Sequence, residues 1–254
     1  MKTIGIIPAR MASSRLPRKP MALIHGIPMV GHCWFRSKLS KLDEVYIATC
    51  DEVINEYAQT IGAKCIMTSD KHERATDRIA EAVDVIEADL GKSLETVVLI
   101  QGDEPMLTPE MIDLAVDGLA KNASVEVVNL MADILTEEEA EDPNEIKVVV
   151  DRNNNALYFS RSRIPNLVKA DSKSLAKKQI CIIPFRRDFL TRYSDMEETY
   201  LEQCESVDMM RILENGENVL MVDVPPGTMS VDTQQDLDRV TELMIDDQLM
   251  KSYA

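Results

Sequence analysis

Residues 96–105 read TVVLIQGDEP. Five consecutive apolar or β-branched residues run without alternation into a polar, glycine-containing turn. Such a run predicts a strand covered on both faces, as at the centre of a parallel sheet. Ligands of open α/β sheets bind beyond the carboxyl ends of the strands. Asp103 therefore falls where a carboxylate can hold Mg²⁺, an ion that takes few carboxylates and completes its shell with phosphate oxygens. A polar turn is the plainer reading of these residues alone.

The flanking chain supports the same architecture. Strands are expected at Thr3–Pro8, Glu44–Thr49 and Lys64–Met67. Helical patterns separate them at Met29–Leu39, Asp51–Ile61 and Asp77–Asp89, the last with Ile79, Val83 and Ile86 at helical spacing. Pro109 opens a further helix to Leu119. This alternation predicts right-handed βαβ units, an α/β fold with a mostly parallel sheet. The second half is less regular. Strands are expected at Val125–Met131, Ile146–Asp151, Gln179–Phe185 and Val219–Val222, with an acidic segment at Thr136–Asn144. Asn153–Asn155 marks a hairpin turn. Leu167–Lys178 is polar and expected to be mobile, and helices are expected at Cys204–Asn215 and Asp236–Asp247. One domain over 1–254 is expected, with a smaller lobe over roughly residues 150–210.

Apolar residues make up 45% of the 254-residue chain, enough for a substantial core, and aromatics only 4%, so that core is aliphatic. The formal charge of −16 argues against a nucleic-acid partner, which needs a basic face. It does not exclude a small anion, because local field decides binding. Five cysteines with no CxxC pair and no signal-like start are expected to be reduced thiols in a cytoplasmic protein.

Against that acidic background, Arg10, Arg15, Arg18 and Lys19 crowd into the loop after the first strand. Small residues among them, Ala12, Ser13 and Ser14, let backbone N–H groups approach phosphate oxygens. The loop is not a GxxxxGK[ST] phosphate loop. Thr68–Arg78 adds hydroxyls, two arginines and His72 between a strand and a helix, a density suited to base, ribose or phosphate. Asp232, just before the closing helix, is either a helix cap or a second metal ligand.

Seven segments together resemble the 3-deoxy-manno-octulosonate cytidylyltransferases, relatives of the acylneuraminate cytidylyltransferases. They are IIPARMASSRLPRKP (6–20), VYIATCDE (45–52), MTSDKHERATDR (67–78), QGDEPM (101–106), DPNEIKVV (142–149), ALYFSRSRIP (156–165) and SVDTQQDL (230–237). They keep the family's order and cover nearly the whole chain. The resemblance implies a Rossmann-like, GT-A-like nucleotidyltransferase fold with a small inserted lobe that mediates homodimerisation. It implies CTP and an acidic 2-keto sugar as substrates, Mg²⁺ as cofactor, and a step of lipopolysaccharide biosynthesis; no membrane partner is expected, because no stretch of the sequence approaches a transmembrane span. Arg10, Ser14, Arg15 and Lys19 match its triphosphate positions, with Lys19, Arg15 and Asp103 in the catalytic role. Thr68, Ser69, Arg78 and Gln101 match positions around the base and ribose. Asp103 and Asp232 match its metal ligands, and Arg161 and Glu205 match positions around the sugar.

Departures from the family pattern cluster near that sugar. Where the family has RLPGKP, this chain has Arg18, and where it has SGT, this chain has Arg74-Ala75-Thr76. Its HxGIYxYR strand is replaced by Gln179–Arg186, and its LEQLR by Val207–Arg211. A His, a Tyr and a Gln give way to Gln179, Ile183 and Met209. A site that bonds hydroxyls discriminates strongly when those partners change. These positions predict either packing drift with the ordinary sugar or a variant such as its 8-amino analogue, with Gln179 and Asp208 facing it. The competing functions are another keto-sugar cytidylyltransferase and a non-catalytic nucleotide-binding homologue. Retention of Asp103 and Asp232 weighs against the second.

Overall fold

The computed structural model describes residues 2–13, 15–166 and 176–254. The chain divides into two compact units, Met1–Asp113 with Thr228–Ala254, and Leu114–Gly227.

The first unit is built on β1 (Thr3–Ala9), followed by the two-stranded turn β2 (Leu23–Ile24) and β3 (Ile27–Pro28) and by α1 (Met29–Lys38). Then come β4 (Glu44–Thr49), α2 (Glu52–Thr60), β5 (Lys64–Met67), α3 (Ala75–Leu90) and β6 (Thr96–Ile100). Helix α4 (Pro109–Lys121) leads out of this unit, and its closing helix α9 (Gln234–Leu243) arrives from the far end of the chain. β6, β1, β4 and β5 lie side by side in that order, every pair parallel. Val97, Val98 and Ile100 are fully buried, as the unbroken apolar run predicted. Parallel pairing sends all four carboxyl ends to one edge, so the loops after β1, β5 and β6 share it.

The second unit holds β7 (Val128–Ile134), α5 (Glu137–Glu141), β8 (Lys147–Val150), β9 (Ala156–Ser160), β10 (Ala176–Ile180) and β11 (Ile182–Arg186). It continues with α6 (Arg187–Ser194), α7 (Tyr200–Glu205), α8 (Met209–Glu214) and β12 (Leu220–Asp223). Its sheet runs β12-β7-β10-β8-β9, antiparallel except for the β12–β7 pair. The asparagine turn joins β8 to β9 as a hairpin, with Asn154 left-handed.

Three expectations need correction, and one segment without an assigned element gains one. Gln179–Phe185 is not one strand; it breaks at Cys181 between β10 and β11. Cys204–Asn215 is not one helix; Ser206 turns left-handed at φ 54° and separates α7 from α8. The acidic segment forms the short helix α5, capped by the Thr136 side chain accepting from Glu139 N–H. Of Leu167–Lys178, residues 176–178 belong to strand β10, and the rest lies outside the described residues.

Candidate active site

The loop after β1 is tied down at both ends. Asp51, at the carboxyl end of β4, accepts a hydrogen bond from Met11 N–H at 2.7 Å. Further on, Leu16 is buried among Ile24, Met29, Val231, Leu237, Val240, Met244 and Met250. Arg15 lies between these anchors, with Arg10 before them and Arg18 and Lys19 after them. Arg18 sits in the left-handed region at φ 62°. That conformation costs a non-glycine residue about 1–2 kcal/mol, which accounts for the glycine of the resembled motif. Lys19 follows at once and opens a 3₁₀ turn.

Lys19 is the centre of the cluster. Its Nζ donates to Asp103 Oδ2 at 2.6 Å and to Asp232 Oδ1 at 2.9 Å, and Arg15 Nη2 lies 3.0 Å from the same Asp232 oxygen. Burial alone would lower the Lys19 pKa, but Asp103 and Asp232 outweigh it and hold the pKa above the ordinary lysine value. Two features bring the acids together. Gly102 lets the turn after β6 lie against β1, since a Cβ there would meet Pro8 O at 3.0 Å. Val231 N–H donates to Asp103 O at 2.9 Å, joining the turn to the segment before α9. The cap of α9 is Thr233, in a capping box with Asp236. The Asp232 side chain is thereby left to Lys19 and Arg15, which decides against its reading as a helix cap.

The Thr68–Arg78 loop is also braced from within. The Arg78 guanidinium donates to Thr68 Oγ1 at 2.5 Å, Ser69 O at 3.1 Å and His72 O at 3.0 Å. Arg10 reaches His72 O at 3.5 Å. Glu81 accepts from Ser69 N–H at 2.9 Å and pairs with His72 Nε2. Gln101 stands half-buried at the end of β6. Ser14 lies outside the described residues. Asp51 and Glu81 were not singled out from the sequence. Asp51 lies inside the VYIATCDE segment, whereas Glu81 carries no signal beyond its place on α3.

In the second unit, Arg161 and Glu205 come together. The Glu205 carboxylate accepts from Tyr158 Oη at 3.1 Å, Ser160 Oγ at 3.0 Å and Arg161 N–H at 2.9 Å. The Arg161 guanidinium donates to the carbonyls of Glu205, Pro143 and Ser206. Buried Lys147 fixes the base of this array through the carbonyls of Asp142, Glu145 and Arg161, at 2.7, 2.7 and 2.8 Å. Asp208 stands at the head of α8. Gln179 does not join the array: the register puts it in alternation with Lys178, which shares its face with Lys147 and Ser160.

A solved structure of CMP:2-keto-3-deoxy-manno-octonic acid synthetase complexed with CTP matches this fold at TM-score 0.86 and 36% identity. The match covers 96% of this chain and 98% of that one. The fold is that of an α/β nucleotidyltransferase, and the protein is an enzyme of that class. A family model described as cytidylyltransferase matches residues 4–219. The 3-deoxy-manno-octulosonate cytidylyltransferase of Fusobacterium nucleatum subsp. nucleatum is 39% identical, over 94% of this chain and 96% of the relative. That of Escherichia coli is 38% identical, over 96% of each. The chain belongs to the cytidylyltransferase family, among the 3-deoxy-manno-octulosonate cytidylyltransferases. Among the described residues no helix is long and apolar enough to cross a membrane.

Proposed function

We propose that this enzyme joins the CMP unit of CTP to the anomeric hydroxyl of an acidic 2-keto sugar of the 3-deoxy-manno-octulosonate class, releasing pyrophosphate. The observation that carries the reading is the meeting of Asp103, Asp232 and Arg15 around Lys19 at the carboxyl edge of a parallel sheet. The likeness to a synthetase complexed with CTP supports it.

Mg²⁺ is the proposed cofactor. The donor set fits, since two carboxylate oxygens from separate segments already share one cationic nitrogen. Asp103 and Asp232 would hold the ion, which when bound supplies positive charge to the phosphate oxygens. The chain's own groups do the remainder. A phosphoryl centre crowded with negative charge repels a nucleophile, and Lys19, Arg15 and Arg10 offset that charge. Lys19 keeps its charge through the neutral range despite its burial, because Asp103 and Asp232 outweigh the desolvation. Thr68, Ser69, Arg78 and Gln101 position base and ribose, on a loop that Arg78 and Glu81 keep in shape. Gln179 and Asp208 are the proposed sugar contacts, whereas Arg161 and Glu205, bonded to each other beside Ser160 on the opposite face of the sheet, hold this part of the chain in shape; the product serves lipopolysaccharide biosynthesis.

The second reading concerns the sugar. Gln179, Ile183 and Met209 stand where the resembled motifs carry His, Tyr and Gln, which favours a substituent changed at the distal end, such as an 8-amino group. Pyrophosphate release from CTP and Mg²⁺ with 3-deoxy-manno-octulosonate, and with its 8-amino analogue, tests both. Release with neither sinks the proposed function. A clear preference for the ordinary sugar sinks the variant.

A further inference from the structure

Strand β7 carries an asparagine where a core strand has no evident use for one. Asn129 is wholly buried, and among the described residues neither its Nδ2 nor its Oδ1 has a hydrogen-bond partner. Gln179 on the neighbouring strand β10 is 7% exposed, and its Oε1 is likewise without a partner among the described residues. Buried polar groups are normally paired, and an unpaired one costs free energy comparable to a lost hydrogen bond. Two on adjacent strands call for a common cause.

The register puts them together. Gln179 pairs with Met131 across the antiparallel β7–β10 ladder, so their side chains share a face. Asn129 precedes Met131 by one full strand repeat and lies on that face as well. Asn129 and Gln179 are therefore diagonal neighbours, within reach of a single small group. Met131 and Met221 beside them are buried and offer no hydrogen bonds. Toward the other end of the same face, Lys177 pairs with Asp133 and Asp223, so the charges there are mutually satisfied. The alternating face carries Leu130, Val128, Ala132 and Ile180, all buried and apolar.

We propose that Asn129 and Gln179 form a subsite for the hydrogen-bonding tail of the keto sugar, with Asn129 as a specificity-determining residue. The inference rests on the function proposed above. The unpartnered atoms are two acceptors, Asn129 Oδ1 and Gln179 Oε1, and one donor, Asn129 Nδ2. Two acceptor oxygens repel a carboxylate and attract a group that donates. The subsite takes a hydroxyl or an amine, not the acid end of the sugar. Its buried amides give strong discrimination against an analogue lacking that group, because the loss leaves them unpaired again.

The test uses Asn129→Leu, of similar shape, in the full-length enzyme. Asn129→Leu removes an unpaired polar group and puts an apolar one in its place. The expected result is a higher Tm together with a rise of about tenfold or more in KM for the sugar, with KM for CTP unchanged. Gln179→Met reads the same subsite from its more exposed rim, and serves if Asn129→Leu does not fold. Three acceptors are compared: 3-deoxy-manno-octulosonate, its 8-amino analogue, and a shortened 2-keto sugar lacking the terminal carbon. The variants lose efficiency with the two long sugars and little with the short one, and the larger loss identifies the natural tail. A Tm gain with unchanged sugar kinetics overturns the subsite, as does an equal loss with all three acceptors. If the wild type releases pyrophosphate with none of them, the proposed function and the subsite fall together.

Discussion

Lys19 holds two carboxylates that no local pattern connects. Asp103 ends a strand and Asp232 precedes a helix, far apart in the chain, yet both oxygens lie within 2.9 Å of one ammonium. Each acid has a bland reading alone, and only their meeting makes them a pair. Asp103→Asn and Asp232→Asn keep shape and remove one charge each. Turnover with CTP and the keto sugar is expected to fall by about a hundredfold or more in each, with circular dichroism and Tm close to wild type. Near-normal turnover in either variant removes that residue from the proposed metal site. Lys19→Ala is expected to lose kcat by a similar factor while leaving Asp103 and Asp232 without their shared cation, so its Tm should rise more on adding Mg²⁺ than the wild-type value does. An equal Mg²⁺ response in both proteins would separate the ion's site from Lys19. Arg10, Arg15 and Lys19 were legible because cations in an acidic chain are conspicuous. Glu81 was not, because a glutamate in the second turn of a helix with a polar–apolar pattern looks like part of a solvated face until Ser69 N–H and His72 are found on it.

At the scale of elements, the first unit was readable because buried parallel strands are continuous apolar runs, and TVVLI and EVYIAT have no competing reading. The second unit was harder because its breaks lack the usual punctuation. Ser206 takes a left-handed conformation that glycine or asparagine would have announced, so α7 and α8 read as one helix. Cys181 interrupts β10–β11 without proline or glycine. Charge also joins elements, as at Glu44 on β4, which pairs with Lys38 of α1 at 2.7 Å and Lys64 of β5 at 2.8 Å. Burial pushes its pKa up, but hydrogen bonds from Lys38 and Lys64 prevail and bring it down to about 2. A depressed folded pKa means the contribution is complete above the unfolded value of about 4.3 and is lost as pH falls toward 2. Partly exposed pairs are screened, so Glu44→Gln is expected to cost only about 0.5–1 kcal/mol at neutral pH. Urea midpoints measured from pH 7 down to 3 should show the gap between variant and wild type narrowing. A gap independent of pH would rule out these ion pairs as its source.

On the scale of the whole molecule, the first unit is discontinuous, and residues 228–254 return to complete it. Sequence patterning could place the closing helix but not its destination, since helical periodicity says which face is buried and not against what. The return is secured by the apolar cluster around Val231, Val240, Met244 and Met250, and by a polar network at Tyr253. Arg36 is 1% exposed and donates to Tyr253 Oη at 2.9 Å, Leu107 O at 3.2 Å and Asp247 at 2.7 Å. His32 Nε2 lies 2.9 Å from Ile24 O, which can only accept, so Nε2 carries the proton. His32 Nδ1, 2.9 Å from Tyr253 Oη, is then an acceptor, and the tyrosine hydroxyl gives to the histidine what it receives from the arginine. Removing that one oxygen leaves two buried nitrogens unpaired, one of them on a charged group. Tyr253→Phe keeps the ring stacked on Phe35 and is expected to destabilise the fold by about 1–3 kcal/mol in chemical denaturation. The lost oxygen lies far from Lys19 in role, so kcat and KM well below the unfolding transition should stay near wild type. His32, whose pKa burial holds below the ordinary value, resists protonation in the folded protein and so draws stability away as pH falls below about 6.5. Without the hydroxyl donating to Nδ1, the neutral ring loses a partner, so the deficit of Tyr253→Phe should be largest above that pH and shrink below it. A deficit that grows on acidification would reverse the assigned tautomer and with it the direction of the Tyr253 hydrogen bond.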